Sequence, residues 1–172
     1  MLEEVQISVV RAALLVALAA LLESALSPLL TFGWVGPRFL ILGVVVAVAG
    51  LRDLQALLLG FFGGVLTDAL SSGLFGAGAL GGVVAAAISV RAGEMRRKDG
   101  TRLFFAQTVA VAVAAYDLLT LFTTALAGQG SPPIMSYLAG GMVPDVLLNA
   151  LLAYLVGGSL LRLLIAKEEE WT

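Results

Sequence analysis

Long apolar runs, separated by short polar stretches, occupy almost the whole chain. A helix that crosses a bilayer needs roughly 20 apolar residues, so these runs are candidates for membrane-spanning helices. We identify six, over about residues 10–31, 38–52, 54–70, 74–91, 103–127 and 143–164. The stretches between them are too short for a separate soluble domain. The pattern therefore predicts a single transmembrane domain over residues 1–172, built as an all-α compact bundle of six helices.

The second and third runs are the shortest, and a five-span alternative joins them into one broken helix over 38–70. That helix would place Arg52 and Asp53 near the centre of the membrane. Each charge there costs about 2.5–3.5 kcal/mol even on the lenient insertion scale, whereas the same pair costs little at a turn between two helices. The six-span arrangement is favoured, and the five-span arrangement stays open.

Composition supports a membrane protein and excludes several classes of soluble protein. The chain is 60% hydrophobic and 13% charged, and its mean hydropathy is +1.02. Globular domains average about 45–50% apolar and 25% charged residues. The net charge of −2 gives no indication of a nucleic-acid partner. Cysteine and histidine are both absent, which excludes disulfides and thiolate sites and removes the commonest general base.

The distribution of basic residues predicts the orientation in the membrane. Lys and Arg are enriched in cytoplasmic loops. With six spans and a cytoplasmic N-terminus, only Arg38 of the 10 basic residues lies outside. We therefore expect a multi-pass membrane protein, in contact with membrane lipid, with both termini in the cytoplasm.

Several predicted helices, the third and the sixth among them, carry small or polar residues along one face. Helices in lipid associate through close packing and hydrogen bonds, so small residues mark their contacts. The third segment carries Gly60, Gly64, Thr67 and Ser71, and the sixth carries Asp145, Asn149, Ala153 and Gly157. These stripes indicate packing within the bundle, or alternatively a surface left for another protein.

Four acids lie within or at the ends of the predicted spans, namely Glu23, Asp68, Asp117 and Asp145. Intramembrane acids normally face a bundle interior, a cavity or a partner. Asp117 is the deepest and is a candidate for a neutral carboxyl, because burial disfavours the charged form. Asp145 follows Pro144 at an expected helix start, where an acid stabilises the helix dipole.

Asp68 has two possible roles. It can accept hydrogen bonds from the amides that open the fourth segment, in which case Asp68→Asn, which keeps one acceptor, is expected to be mild. Alternatively it acts through its charge, in a proton relay or an ion pair with Arg38. No paired acids at short spacing, phosphate-binding loop or nucleophile motif occurs in the sequence. We therefore expect no enzymatic activity, no cofactor and no metal site.

The stretch 60–80, GFFGGVLTDALSSGLFGAGAL, resembles the signature of the MreD family of bacterial rod shape-determining membrane proteins. The matching positions are Gly60, Gly64, Asp68, Ser71 and Gly76. Two further features agree with it: Pro37 opens an apolar segment that ends at Arg52-Asp53, and Pro144 and Asn149 resemble the final helix of the family. Members often have Asp or Asn after the first proline. Here that residue is Arg38, so no function is carried onto it.

The resemblance implies a non-enzymatic scaffold of the bacterial cytoplasmic (inner) membrane, which binds the single-span protein MreC. It also implies membership of the elongation machinery for lateral-wall peptidoglycan, with the actin-like MreB, the glycosyltransferase RodA and a penicillin-binding transpeptidase. Gly60, Gly64, Asp68, Gly76, Pro144 and Asn149 are the expected partner or packing residues. The family is also similar to the six-helix substrate-binding subunits of energy-coupling-factor vitamin transporters, which gives the alternative function. A lipid-metabolising membrane enzyme is a third hypothesis, for which the sequence supplies no nucleophile or metal cluster.

Overall fold

All regular elements of the described residues are helices, as predicted. The computed structural model describes residues 8–71, 76–94, 101–126, 128 and 133–164. The elements are α1 (Val9–Ala25), α2 (Ser27–Leu30), α3 (Phe39–Ala47), α4 (Asp53–Leu70), α5 (Ala77–Glu94), α6 (Thr101–Leu126), α7 (Ile134–Tyr137), a π-helical segment (Leu138–Met142) and α8 (Val143–Leu164).

Three helical stretches of the described chain are long and apolar enough to cross a membrane. They are Asp53–Leu70, Arg102–Leu126 and Ile134–Leu164. The apolar helix Ala77–Gly93 is slightly shorter, and α1 has 17 residues, about 26 Å at 1.5 Å per residue. The all-helical membrane bundle is therefore confirmed, while the count of six spans stays a prediction.

The first predicted segment, 10–31, is divided into two helices. The helix α1 ends at Ala25, and α2 begins at Ser27 with Pro28 in its first turn. Proline lacks a backbone N–H and fits the first turn of a helix but not its interior. Pro28 therefore accounts for the break between α1 and α2. At the start of α2, the hydroxyl of Ser27 donates a hydrogen bond of 2.9 Å to the carbonyl of Pro37.

The second predicted segment, 38–52, forms the much shorter helix α3. This helix has nine residues, or about 13.5 Å, which is under half of a ~30 Å hydrocarbon core. It is packed against α1, α4, α5, α6 and α8, and most of its side chains are buried. Because protein rather than lipid surrounds α3, this helix does not need the full length of a lipid-exposed spanning helix.

The expectation that Pro144 marks a helix start is met only in part, because Pro144 lies in the first turn of α8 but α8 has no free N-terminus. The helical run begins at Ile134 and continues through the π-helical segment into α8. Proline cannot donate the i→i−4 hydrogen bond, and a π-turn is one way in which a helix accommodates such a local defect. Asp145 therefore lies inside a continuous helical run rather than at its N-terminus.

Glycines bring α4 and α5 into direct backbone contact. A Cβ atom on Gly64 would overlap the carbonyl of Gly78, and one on Gly60 would overlap the carbonyl of Gly82. The glycine face of α4 is therefore used for packing inside the bundle. The predicted stripe on α8 is also internal, because Asp145, Asn149, Ala153 and Gly157 are all buried.

The predicted topology has a direct test, because the natural chain contains no cysteine. We expect a single cysteine introduced at Ser131 to react with a membrane-impermeant thiol reagent added from outside the cell. A cysteine introduced at Asp99 should react only after the membrane is opened. The reverse pattern would contradict the predicted orientation, and reaction of both from outside would contradict the predicted arrangement of segment 103–127.

Candidate functional site

Arg38 is the centre of a buried polar cluster that joins three parts of the bundle. It lies immediately before α3. Its Nε donates to Asp145 Oδ2 on α8 at 3.0 Å, and its Nη2 lies 3.4 Å from Asp117 Oδ1 on α6. The guanidinium carbon lies 5.3 Å from the centroid of the Tyr116 ring, within the range of a cation–π contact. We call Arg38, Asp117, Asp145 and Asn149 the arginine cluster.

Asp145 and Asn149 fix the backbone that leads into α3. Asp145 Oδ1 accepts a hydrogen bond of 2.7 Å from the Gly36 amide, and Asn149 Oδ1 accepts one of 2.7 Å from the Arg38 amide. The Asn149 Nδ2 donates to the Gly36 carbonyl at 3.0 Å. Both side chains belong to residues that are 0% exposed, and residues four apart share one face of a helix. Together they hold segment 36–38 against α8.

Glu23 and Asp117 make fewer bonds than Asp145. Glu23 Oε2, near the end of α1, accepts a hydrogen bond of 3.2 Å from the Leu40 amide in the first turn of α3. Asp117 is 1% exposed, and within the described part of the chain its Oδ2 has no hydrogen-bond partner. Three of the four predicted intramembrane acids therefore surround the segment that leads into α3.

Asp68 forms a second site, at the turn between α4 and α5. Its Oδ1 accepts a hydrogen bond of 2.8 Å from the Gly78 amide, and its Oδ2 accepts bonds of 2.9 and 3.0 Å from the amides of Gly76 and Ala79. These donors include amides that the start of a helix leaves without an intrahelical partner. Gly76 has φ = +99°, a conformation that glycine adopts readily.

The structure thus separates the predicted residues into two sites. Gly60, Gly64, Asp68 and Gly76 lie at the α4–α5 contact, whereas Glu23, Asp117, Asp145 and Asn149 surround Arg38. Arg38 pairs with Asp145 and Asp117, and Asp68 receives backbone amides instead of this guanidinium. Pro144 is only partly buried and adds no polar group to either site.

The central role of Arg38 and the contacts of Gly36 were not predicted from the sequence. A signal was present, because Arg38 is the only basic residue placed outside by the predicted topology, and it opens an apolar segment. A lone cation among several intramembrane acids is a reasonable candidate for their ion-pair partner. Among the described residues, no group of three or more acid side chains is arranged to hold a metal ion.

A separate apolar cleft of about 220 Å³ lies between α1, α3 and α8. A site for a soluble vitamin requires several fixed polar groups around a concave surface. The residues that line this cleft are Leu15, Leu18, Ala19, Leu22, Phe39, Leu42, Gly43, Leu152, Val156 and Leu160. All are apolar, so the cleft lacks the side chains that such a ligand would need.

Comparison with known proteins identifies the family. The family model described as rod shape-determining protein MreD matches residues 4–167, a range that contains both polar sites. No curated protein and no solved structure gives a significant match, so the similarity to energy-coupling-factor subunits stays a prediction. The match extends over nearly the whole chain, well beyond the 60–80 stretch that carries the resemblance in the sequence. The chain therefore belongs to the MreD family of rod shape-determining proteins.

Proposed function

We propose that this protein is a non-enzymatic scaffold of the cell-elongation machinery, which binds MreC in the cytoplasmic (inner) membrane and supports lateral-wall peptidoglycan synthesis. The family match over residues 4–167 carries this proposal, because it assigns a role in rod shape to nearly the whole chain. MreB, RodA and a penicillin-binding transpeptidase would be members of the same assembly. Both termini would lie in the cytoplasm, as the distribution of basic residues predicts.

The use of the buried polar side chains supports a scaffold. Asp68 binds three amides of the α4–α5 turn, and Asp145 and Asn149 bind the backbone of segment 36–38. These groups are occupied in fixing the positions of the chain's own helices. A protein that presents a constant surface to a partner depends on such rigidity, since ordering the surface in advance lowers the entropic cost of association.

The packing of α4 limits where MreC can bind. Gly60 and Gly64 contact the backbone of α5, so this glycine face is occupied within the bundle. A partner helix would have to use one of the apolar faces that the bundle leaves exposed, such as that of α1 with Leu14, Leu18 and Leu21. The glycine motif would then contribute to MreC binding indirectly, by holding the bundle in shape.

Co-expression with MreC should stabilise the protein, whereas soluble vitamins should not. A ligand present at 100 times its dissociation constant adds about 2.7 kcal/mol to the stability of the folded state, which a melting assay in detergent can resolve. We expect a clear rise in melting temperature for the complex that co-purifies with MreC. We expect no rise with a panel of water-soluble vitamins, because the cleft between α1, α3 and α8 lacks polar groups.

The control is co-expression with an unrelated single-span membrane protein, which should neither co-purify nor shift the melting temperature. Stabilisation by a vitamin, together with no effect of MreC, would contradict the scaffold and support the transporter alternative. Rod-shape complementation in a strain that lacks the native protein provides a readout in the cell. A variant that binds MreC normally and melts normally should restore rod shape.

A further inference from the structure

The arginine cluster contains more buried carboxylates than the guanidinium can neutralise. The side chains of Asp145 and Asp117 are 0% and 2% exposed, and both face Arg38, whose side chain is 24% exposed. An ionised carboxylate is costly to bury unless it is paired and hydrogen-bonded. One guanidinium charge balances one carboxylate charge, so the second carboxyl group needs another source of neutralisation.

The hydrogen bonds show which of the two carboxyl groups lacks a full set of donors. Each oxygen of Asp145 receives its own donor, from the Gly36 amide at 2.7 Å and from Arg38 Nε at 3.0 Å. Asp117 receives one long contact of 3.4 Å on Oδ1. Its Oδ2 is enclosed and has no partner within the described residues. Asp145 therefore holds the shorter and more complete set of donors, and Asp117 has no comparable support.

Among the residues that the structure describes, the groups that face Asp117 supply no second positive charge. Arg38 faces it from the segment before α3, and Asp145 faces it from α8. Tyr116 on α6 and Tyr137 on α7 are the nearby phenols, and Glu23 on α1 adds another acid near Arg38. The neighbouring helix α5 presents Gly81 to the Tyr116 ring. Since Oδ2 is enclosed, a proton is the smallest species that can neutralise Asp117 there.

We propose that Asp117 is a proton-binding site, which holds one proton in the folded protein and leaves Arg38 paired with Asp145. Loss of this proton would create a second carboxylate that competes for Arg38. Because Arg38 links α8 to the segment that leads into α3, this competition would weaken the attachment of segment 36–38. The cluster thus couples the occupancy of one proton to the packing of α3, independently of MreC binding.

Infrared spectroscopy of the purified protein in lipid nanodiscs tests the proposal. At neutral pH we expect a carbonyl stretching band from a protonated carboxyl group, which is lost in Asp117→Asn and retained in the matched variant Glu23→Gln. Labelling of the aspartate carboxyl carbons should shift this band in the wild-type protein, which assigns it to aspartate even if a variant fails to fold. Absence of the band, or its loss only in Glu23→Gln, would overturn the proposal.

The pH dependence of thermal unfolding gives a second readout. A proton held by the folded chain and released on unfolding makes the folded state less stable as pH rises. The side chain in Asp117→Asn is neutral at every pH and similar in shape. The melting temperature of this variant should therefore rise relative to that of the wild type as the pH rises. If the melting temperature of the wild type rose relative to that of the variant with rising pH, or if their difference did not change with pH, Asp117 would be ionised instead.

Discussion

Replacement of Gly64 by Leu should abolish most of the folded protein. A side chain at this position meets the backbone of Gly78 on α5, which cannot move aside as a flexible side chain can. Overpacking typically costs about 1–3 kcal/mol and sometimes more, and we expect the upper end or beyond because α4 and α5 would have to separate. Helices in lipid associate through such close packing rather than through the hydrophobic effect. Gly64→Leu should therefore give a low yield of folded protein and lose rod-shape complementation.

Leu58→Phe is the matched control on the same helix. Leu58 is 46% exposed, so a larger apolar side chain there can extend into lipid without meeting α5. We expect a yield, melting temperature and complementation close to those of the wild type. The measurement is monodisperse yield by size-exclusion chromatography, followed by thermal unfolding of whatever folds. Equal yields and melting temperatures for Gly64→Leu and the wild type would contradict the close contact between α4 and α5.

The features that were predictable from sequence are those encoded within a single helix or in the turn that follows it. Gly60 and Gly64 recur at the helical spacing, and Asp68 follows one turn later, so a tight contact ending in a capped turn follows from local geometry. The stripe from Asp145 to Gly157 likewise places four residues on one face, and all four are buried. Local periodicity is sufficient for these predictions, because neighbouring positions on a helix share a direction in space.

The arginine cluster could not be predicted in this way because Arg38 and the acids that it binds are distant in sequence. Arg38 is separated by 107 residues from Asp145 and by 79 from Asp117, and only the arrangement of the bundle brings them together. The extent of α3 was missed for a related reason. An apolar run such as 38–52 has the same composition whether lipid or protein surrounds it, so the sequence does not distinguish a spanning helix from a short buried one.

Asp68→Ala should also destabilise the protein strongly, and the structure changes the expectation for Asp68→Asn. Both carboxylate oxygens accept amide hydrogens, one from Gly78 and two from Gly76 and Ala79. An asparagine keeps one acceptor but places its NH₂ group against amide donors, so it is not the mild change that the sequence predicts. Each buried polar group left without a partner costs about 1–3 kcal/mol. We expect about 3 kcal/mol or more for Asp68→Ala and about 1–3 kcal/mol for Asp68→Asn.

Thermal unfolding in detergent and rod-shape complementation, measured on both variants together, test this role. The control is Asp53→Ala, which removes the same side chain from an exposed position at the start of α4. An exposed acid in the first turn of a helix contributes about 0.3–1 kcal/mol, so the free energy of unfolding should fall by about 1 kcal/mol or less in this control. Melting temperatures should fall in the order Asp53→Ala, Asp68→Asn, Asp68→Ala. If both Asp68 variants lost rod-shape complementation but melted like the wild type, Asp68 would act through its charge rather than as the acceptor that fixes the α4–α5 turn.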